Sequence, residues 1–152
     1  MDDDFDAFVD DALYASRAFV ALAVRTMARS SEITIPQHRA LLELALRGPQ
    51  RLTSMSSLLG MPLSGTSRLC DRLIAKGLMR KRPDPHSGRS IELSVTPSGL
   101  EQVGLILDAR RDELSDALAK IPAEERGALR DALSLIADSL GEPRGLLVAN
   151  TK

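Results

Sequence analysis

Residues 53–95 of this chain read TSMSSLLGMPLSGTSRLCDRLIAKGLMRKRPDPHSGRSIELSV. Thr53 reads as an N-cap, and Met55, Leu58 and Leu59 follow at helical spacing until Gly60 ends the segment. After the turn Gly60-Met61-Pro62, the spacing predicts a second helix from about Leu63 to Lys76, with Thr66, Leu69, Cys70, Leu73 and Ile74 on one face. Ser64, Gly65, Ser67, Arg68 and Arg72 then point outward. A helix-turn-helix entering a major groove needs this arrangement, because small residues permit close approach and arginine reaches guanine edges or phosphates. Any helical hairpin in a bundle can show the same two features, so the continuation carries weight. Gly77 closes the helix, Leu78 to Arg82 read as a basic strand, Asp84-Pro85-His86-Ser87-Gly88 is dense turn chemistry, and Ile91 to Val95 alternate as a return strand. A β-hairpin at that place is a wing, with Arg89 at its base or tip.

Charge is concentrated in the same region. Between Arg47 and Arg89 stand nine basic residues against Asp71 and Asp84, a local charge of +7, while the remainder holds eleven basic and nineteen acidic residues. The formal net charge of −1 therefore conceals a basic middle, with Asp2, Asp3, Asp4, Asp6, Asp10 and Asp11 crowded at the front. A basic cluster alone is more often a solvated face; its position on a helix and hairpin is what points to nucleic acid. Phe5, Phe8, Tyr14 and Phe19 are the only aromatic residues, all outside the basic segment. Single-strand binders and most RNA modules stack bases on rings, so the pattern favours a duplex reader.

Working outward, Asp4 to Ser30 contains neither Gly nor Pro, and Phe5, Phe8, Leu13, Phe19, Val20, Val24 and Met27 recur at three- and four-residue steps. That predicts a long amphipathic helix with its aspartates at the favourable end of the dipole. Ile33, Thr34 and Ile35 read as a short extended link before Pro36, and a helix from about Gln37 to Leu46 stops at Gly48-Pro49. Beyond the hairpin, Thr96 as N-cap with Pro97 at the first position opens a helix to about Lys120. Pro122-Ala123-Glu124-Glu125 begins a last helix with Leu129, Leu133, Ile136 and Leu140 on one stripe, closed by Gly141, and Leu146, Leu147 and Val148 form an apolar scrap in the tail. The terminal apolar faces predict a homodimer, whose two-fold axis would match a palindromic site. The expected fold is mainly α with a small β-wing. Residues 36–96 are read as a winged helix-turn-helix DNA-binding domain, and residues 1–35 and 97–152 as a helical dimerisation region.

At 152 residues, with 43% apolar and 27% charged, the chain can bury a core without a covalent staple. One cysteine and two histidines provide no zinc set, and no phosphate-cradling loop or nucleophile elbow occurs, so neither a cofactor nor enzyme activity is expected. No apolar run approaches about 18 residues, and Met-Asp-Asp-Asp lacks the basic start of a secretory signal. The expectation is a cytoplasmic protein without membrane attachment. A winged-helix protein-interaction module, presenting the same helix and hairpin to an acidic protein partner, is the alternative that these residues leave open.

Leu52-Thr53 with Met55 and Leu59-Gly60, the run Ser67-Arg68-Leu69-Cys70-Asp71-Arg72-Leu73, the exit Gly77-Leu78-Met79-Arg80, Asp84-Pro85 with Gly88-Arg89, and Val95-Thr96-Pro97-Ser98-Gly99-Leu100 together resemble the multiple-antibiotic-resistance-regulator (MarR) family of winged helix-turn-helix repressors. The resemblance runs from about Phe5 to Leu140. It implies a homodimer built by terminal helices, a recognition helix in the major groove of a palindromic operator, a wing arginine in the adjacent minor groove, and a small aromatic acid as effector. Carried onto this sequence, it puts Ser64, Thr66, Ser67 and Arg68 on or beside the recognition surface and makes Arg89 the minor-groove residue. With the outward-facing residues, the DNA-binding set is Ser64, Gly65, Ser67, Arg68, Arg72, Arg82 and Arg89, whereas the helical count turns Thr66 inward. Two departures stand out. Ser87 occupies the place where the family has an aspartate that orients the wing arginine, and Gly65 lacks a side chain that could touch a base edge. Tyr14, Arg17 and His38 are candidate residues for an effector pocket, and His86 is read as a turn residue. Members that sense hydroperoxides carry their cysteine in the first helix, where this chain has none, so Cys70 is expected to be a core residue.

Overall fold

Six helices and one small sheet follow in the order α1 (Asp3–Ser30), α2 (Ile35–Arg47), β1 (Gln50–Arg51), α3 (Leu52–Leu59), α4 (Leu63–Ala75), β2 (Met79–Asp84), β3 (Ser87–Val95), α5 (Pro97–Leu118) and α6 (Arg126–Ser139). The computed structural model describes residues 3–30 and 32–145, so the apolar scrap Leu146-Leu147-Val148 lies outside the described residues. The fold is mainly α with a three-stranded antiparallel sheet in the order β1-β3-β2.

Several boundaries differ from the sequence expectation, the main ones for local reasons. α2 begins two residues early because Thr34 is a cap and no extended link forms. Its hydroxyl accepts from the Gln37 N–H at 3.4 Å, and the Gln37 side-chain oxygen accepts from the Thr34 N–H at 3.0 Å, a reciprocal capping box with Pro36 in the first turn. α3 begins at Leu52, so Thr53 lies inside the helix. Gln50 and Arg51 pair with Leu93 and Glu92 of β3, and the chain passes from that two-residue strand straight into the helix. The hairpin is longer than expected: Asp84 pairs with Ser87 across Pro85-His86, and the Asp84 side chain accepts the His86 N–H at 2.8 Å. Closing the turn through a side chain draws residues 84 and 87 into the ladder. α6 starts four residues late because residues 122–125 form a turn, with Glu125 N–H donating to the Pro122 carbonyl at 3.1 Å. Arg126 then donates to the carbonyls of Ile121 and Ala119 at 2.9 and 3.1 Å, satisfying acceptors just past the end of α5.

The core lies where α2, α3, α4, the sheet and the start of α5 meet, with Leu41, Leu44, Met55, Leu73, Met79, Val103 and Ile106 almost wholly buried. Each such side chain contributes about 1.5–3 kcal/mol relative to exposure, which fixes the inward face of α4. One glycine is sterically required. A Cβ on Gly99 would lie 2.2 Å from the Leu78 carbonyl oxygen, so only Gly lets α5 start against the entry to β2. There the Thr96 hydroxyl donates to the Gly77 carbonyl at 2.7 Å and accepts the Gly99 N–H at 3.1 Å, tying the exit of β3 to the exit of α4.

Candidate nucleic-acid interface

The turn between α3 and α4 is locked before any outward residue is considered. Gly60 takes φ +60°, a left-handed conformation that ends α3. The Met61 N–H donates to the Ser56 carbonyl at 3.1 Å, and the Ser56 hydroxyl donates back to the Met61 carbonyl at 2.6 Å. Thr66, fully buried, donates its hydroxyl to the Pro62 carbonyl at 3.1 Å, so its inward orientation agrees with the helical count. Leu69, Cys70 and Leu73 are buried beside it.

The opposite face of α4 is accordingly turned to solvent. Ser64, Arg68 and Arg72 are exposed, and Gly65 and Ser67 are half-buried. A Cβ on Gly65 would meet only the flexible end of Met61 at 3.5 Å, an ordinary contact, so nothing inside the protein requires glycine there. Asp71 on this face lies 4.0 Å from Lys81 of β2, so α4 and the hairpin lie side by side there. Arg82 is exposed on β2, and Arg89 is placed on the backbone of β3.

The basic segment is not uniformly free. Arg47 pairs with Glu43 at 2.6 Å, Arg51 pairs with Asp84 at 2.7 Å, and Lys76 donates to the Glu32 carbonyl at 2.8 Å. Among the described residues, Arg68, Arg72 and Arg82 make no ion pair, and the Arg68 Nε donates to the carbonyl of Ser64 in its own helix, at 3.3 Å. Three unneutralised guanidinium groups on the outward face of α4 and on β2 form a surface suited to a polyanion.

The three effector candidates are not gathered into one site. Tyr14 and Arg17 are exposed on α1, whereas His38 is buried on α2. A cavity of about 880 Å³ opens between α2, α5 and α6, lined by Leu42, Leu107, Leu133 and others together with Arg39 and Arg110; none of the three candidates lines it. The Nε of Arg110 is buried there without a hydrogen-bond partner. Sequence reading missed this arginine and the buried Glu43, which is paired with both Arg39 and Arg47. The i, i+4 pattern Arg39…Glu43…Arg47 was a visible signal for the latter. Arg39 also donates twice to Glu142, at 2.9 and 2.8 Å, anchoring the segment after α6 to α2.

Cys70 is buried, and desolvation, with Asp71 adding to it, pushes its thiol up to about 11. A protonated thiol is a poor nucleophile. Peroxide at doses that preserve the fold is expected to leave DNA affinity unchanged, while Cys70→Ser buries a hydroxyl and costs about 1–3 kcal/mol in urea unfolding. Rapid peroxide-driven release that the serine variant lacks would contradict this.

A MarR family model matches residues 31–90, the segment from the approach to α2 through the wing turn. Among solved structures, the chain is similar to RV1404 from Mycobacterium tuberculosis, at 33% identity and a TM-score of 0.86 over 96% of this chain and 100% of that one. It shares the fold of a MarR family protein from Bacillus stearothermophilus, at 20% identity and a TM-score of 0.82 over 93% and 99% of the two chains. It is also 28% identical over 130 residues to an uncharacterised HTH-type transcriptional regulator, ML2140, of Mycobacterium leprae, covering 81% of this chain and 91% of that protein.

Proposed function

Since the chain belongs to the MarR family of winged helix-turn-helix transcriptional regulators, we propose that it works as a cytoplasmic homodimer that represses transcription from a palindromic operator until a small-molecule effector releases it. Residues 36–96 form the DNA-binding unit of this reading, and the helices on either side pair the two copies. The carrying observation is the outward face of α4, where Arg68 and Arg72 stand free of carboxylates beside Ser64, Gly65 and Ser67, in a chain whose overall charge is −1. Small side chains let the helix approach base edges, and the free guanidinium groups meet guanine or phosphate. Arg82 and Arg89 serve the wing, Arg89 in the minor groove. A small aromatic acid is the effector class that the family resemblance suggests. No helix among the described residues is long and apolar enough to cross a membrane.

Two arginine substitutions test the assignment. Arg68→Ala is expected to cost about 1–3 kcal/mol of operator binding and to relax preference at one position in each half-site. Arg89→Ala is expected to weaken binding to many sequences alike and to lower the salt slope by about one unit per lost contact, because the minor-groove code is degenerate. If Arg68→Ala weakens all duplexes equally while Arg89→Ala changes nothing, the groove assignment fails. Binding to acidic proteins in preference to every duplex would instead support the interaction-module alternative.

A further inference from the structure

Asp84 ends β2 where the hairpin turns, and its carboxylate is held from two directions. One oxygen, Oδ2, accepts from Arg51 Nε at 2.9 Å and lies 2.7 Å from Arg51 Nη2, while Oδ1 accepts the backbone N–H of His86 at 2.8 Å. The Asp84 side chain is 5% exposed and that of Arg51 54%, so the carboxylate is shielded while the guanidinium remains open to solvent on one side. These two partners hold the Asp84 carboxyl below its ordinary range. Arg51 ends β1 and immediately precedes α3. In the sheet it stands opposite Glu92 of β3, which faces Arg82 of β2 on its other side. To meet Asp84, Arg51 therefore crosses the central strand toward the wing tip. Ser87, by contrast, offers only its hydroxyl, 3.1 Å from that of Ser90.

We infer that Arg51 and Asp84 are the positioning pair that aims the wing, holding its tip at a fixed distance from the recognition helix so that major- and minor-groove contacts fall a fixed number of base pairs apart. The inference rests on the DNA-binding reading above. The hairpin needs such a brace because its ladder is interrupted where the tip begins: the register shifts between Pro83 and Asp84, and Pro83 has no N–H to donate. A two-stranded hairpin is marginal on its own, and β1 reaches only Leu93 and Glu92. Arg51 supplies a tether beyond that point and fastens it to the root of α3, which packs on α4. A rival role for Arg51, gripping phosphate directly, predicts the opposite sign when Asp84 is neutralised, because the guanidinium would then be set free for DNA.

Asp84→Asn keeps an acceptor for the His86 N–H and replaces the oxygen facing Arg51 with a donor; Arg51→Gln removes the cation. The full chain and both variants are compared by hydroxyl-radical footprinting and salt titration. The probes are the duplex selected by the wild type and matched duplexes with one base pair added between the central and flanking contacts. The wild type is expected to protect the flank and to reject the altered spacing by about tenfold. Both variants are expected to lose flank protection, to lower the salt slope by about one unit per half-site, and to accept the altered spacing, with the central sequence preference kept. The double variant is expected to be no worse than either single one. Tighter binding by Asp84→Asn with the flank still protected would overturn the inference in favour of direct phosphate contact. Unchanged flank protection and spacing discrimination in both variants would overturn it too, and if Asp84→Asn fails to fold, Arg51→Gln decides by the same criteria. Absence of duplex binding by the wild type would overturn the parent reading itself; binding by the wild type with unaffected variants overturns only this one.

Discussion

Leu133→Glu combined with Ile136→Glu is expected to yield monomers in sedimentation and to reduce operator affinity by at least about a thousandfold, to the level of non-specific binding. α6 has its apolar residues at helical spacing, yet it buries none of them within one copy of the chain. Leu135 and Leu140 are 69% and 81% exposed, and Leu129 and Leu133 are also exposed. The first half of α1 presents Phe5, Phe8 and Leu13 in the same way, since among the described residues of that helix only Leu22, Thr26 and Met27 are buried. Soluble monomers rarely leave such contiguous apolar faces in water, and a helix gains most of its stability by packing one face. In the proposed homodimer a second copy would supply that packing under a closed two-fold arrangement. Each recognition helix alone reaches few bases, so losing the dimer removes specificity as well as affinity. The central core of Leu41, Met55 and Leu73 is untouched by the change, and the monomer is expected to stay folded. A double variant that remains dimeric would remove α6 from the interface.

Folding stability is expected to fall by up to about 3 kcal/mol as pH drops from about 6.5 to about 4, through His38 alone. His38 is 4% exposed and its Nε2 has no hydrogen-bond partner. Burial first, then the charges of Arg110 and Arg39, hold its pKa down at about 4, against an ordinary value of 6.5. In the unfolded chain the imidazole takes up a proton near its ordinary pKa; in the folded protein it stays neutral until about pH 4. The unfolded state therefore binds more protons throughout that window, and stability declines with falling pH until the folded pKa is reached. Carboxylates held low, such as Asp84, add their own loss at still lower pH. Urea unfolding of the wild type and of His38→Leu between pH 7.5 and 4 separates the contributions. The leucine variant is expected to lack the decline that His38 causes, and parallel curves for the two proteins would contradict the burial argument.

The parts of the structure that could be read from sequence are those governed by periodicity. Thr66, Leu69, Cys70 and Leu73 fall on the buried face of α4 because a 3.6-residue repeat fixes which side chains share a face. The left-handed turns at Gly60 and Gly77 followed from residue type, and their φ values of +60° and +72° match it. Helix starts were less legible because competing signals overlap. Ile33, Thr34 and Ile35 look like a strand to β-propensity, but Thr34 and Gln37 make a capping box that wins. Pro122 offers itself as a first helical residue, but the chain completes a turn before α6 begins at Arg126. Two residues are too few to show alternation, so β1 left no trace, and the Arg51–Asp84 pair joins positions 33 apart through a strand that the sequence did not reveal. Tyr14, Arg17 and His38 illustrate the same limit: helical spacing puts Tyr14 and Arg17 on one helix but carries no information on how α1 meets α2.

The most direct measurement is to pass a library of random duplexes over the purified protein, sequence what is retained, and repeat the retention across a salt series. A two-fold reader is expected to enrich an inverted repeat with half-site centres about 34 Å apart and to show retention that falls steeply with salt. Arg68→Ala is expected to broaden the enriched sequence at one symmetric pair of positions. Retention with no enriched sequence, or enrichment of a single unrepeated site that Arg68→Ala leaves intact, would contradict a two-fold reader that uses α4 in the major groove.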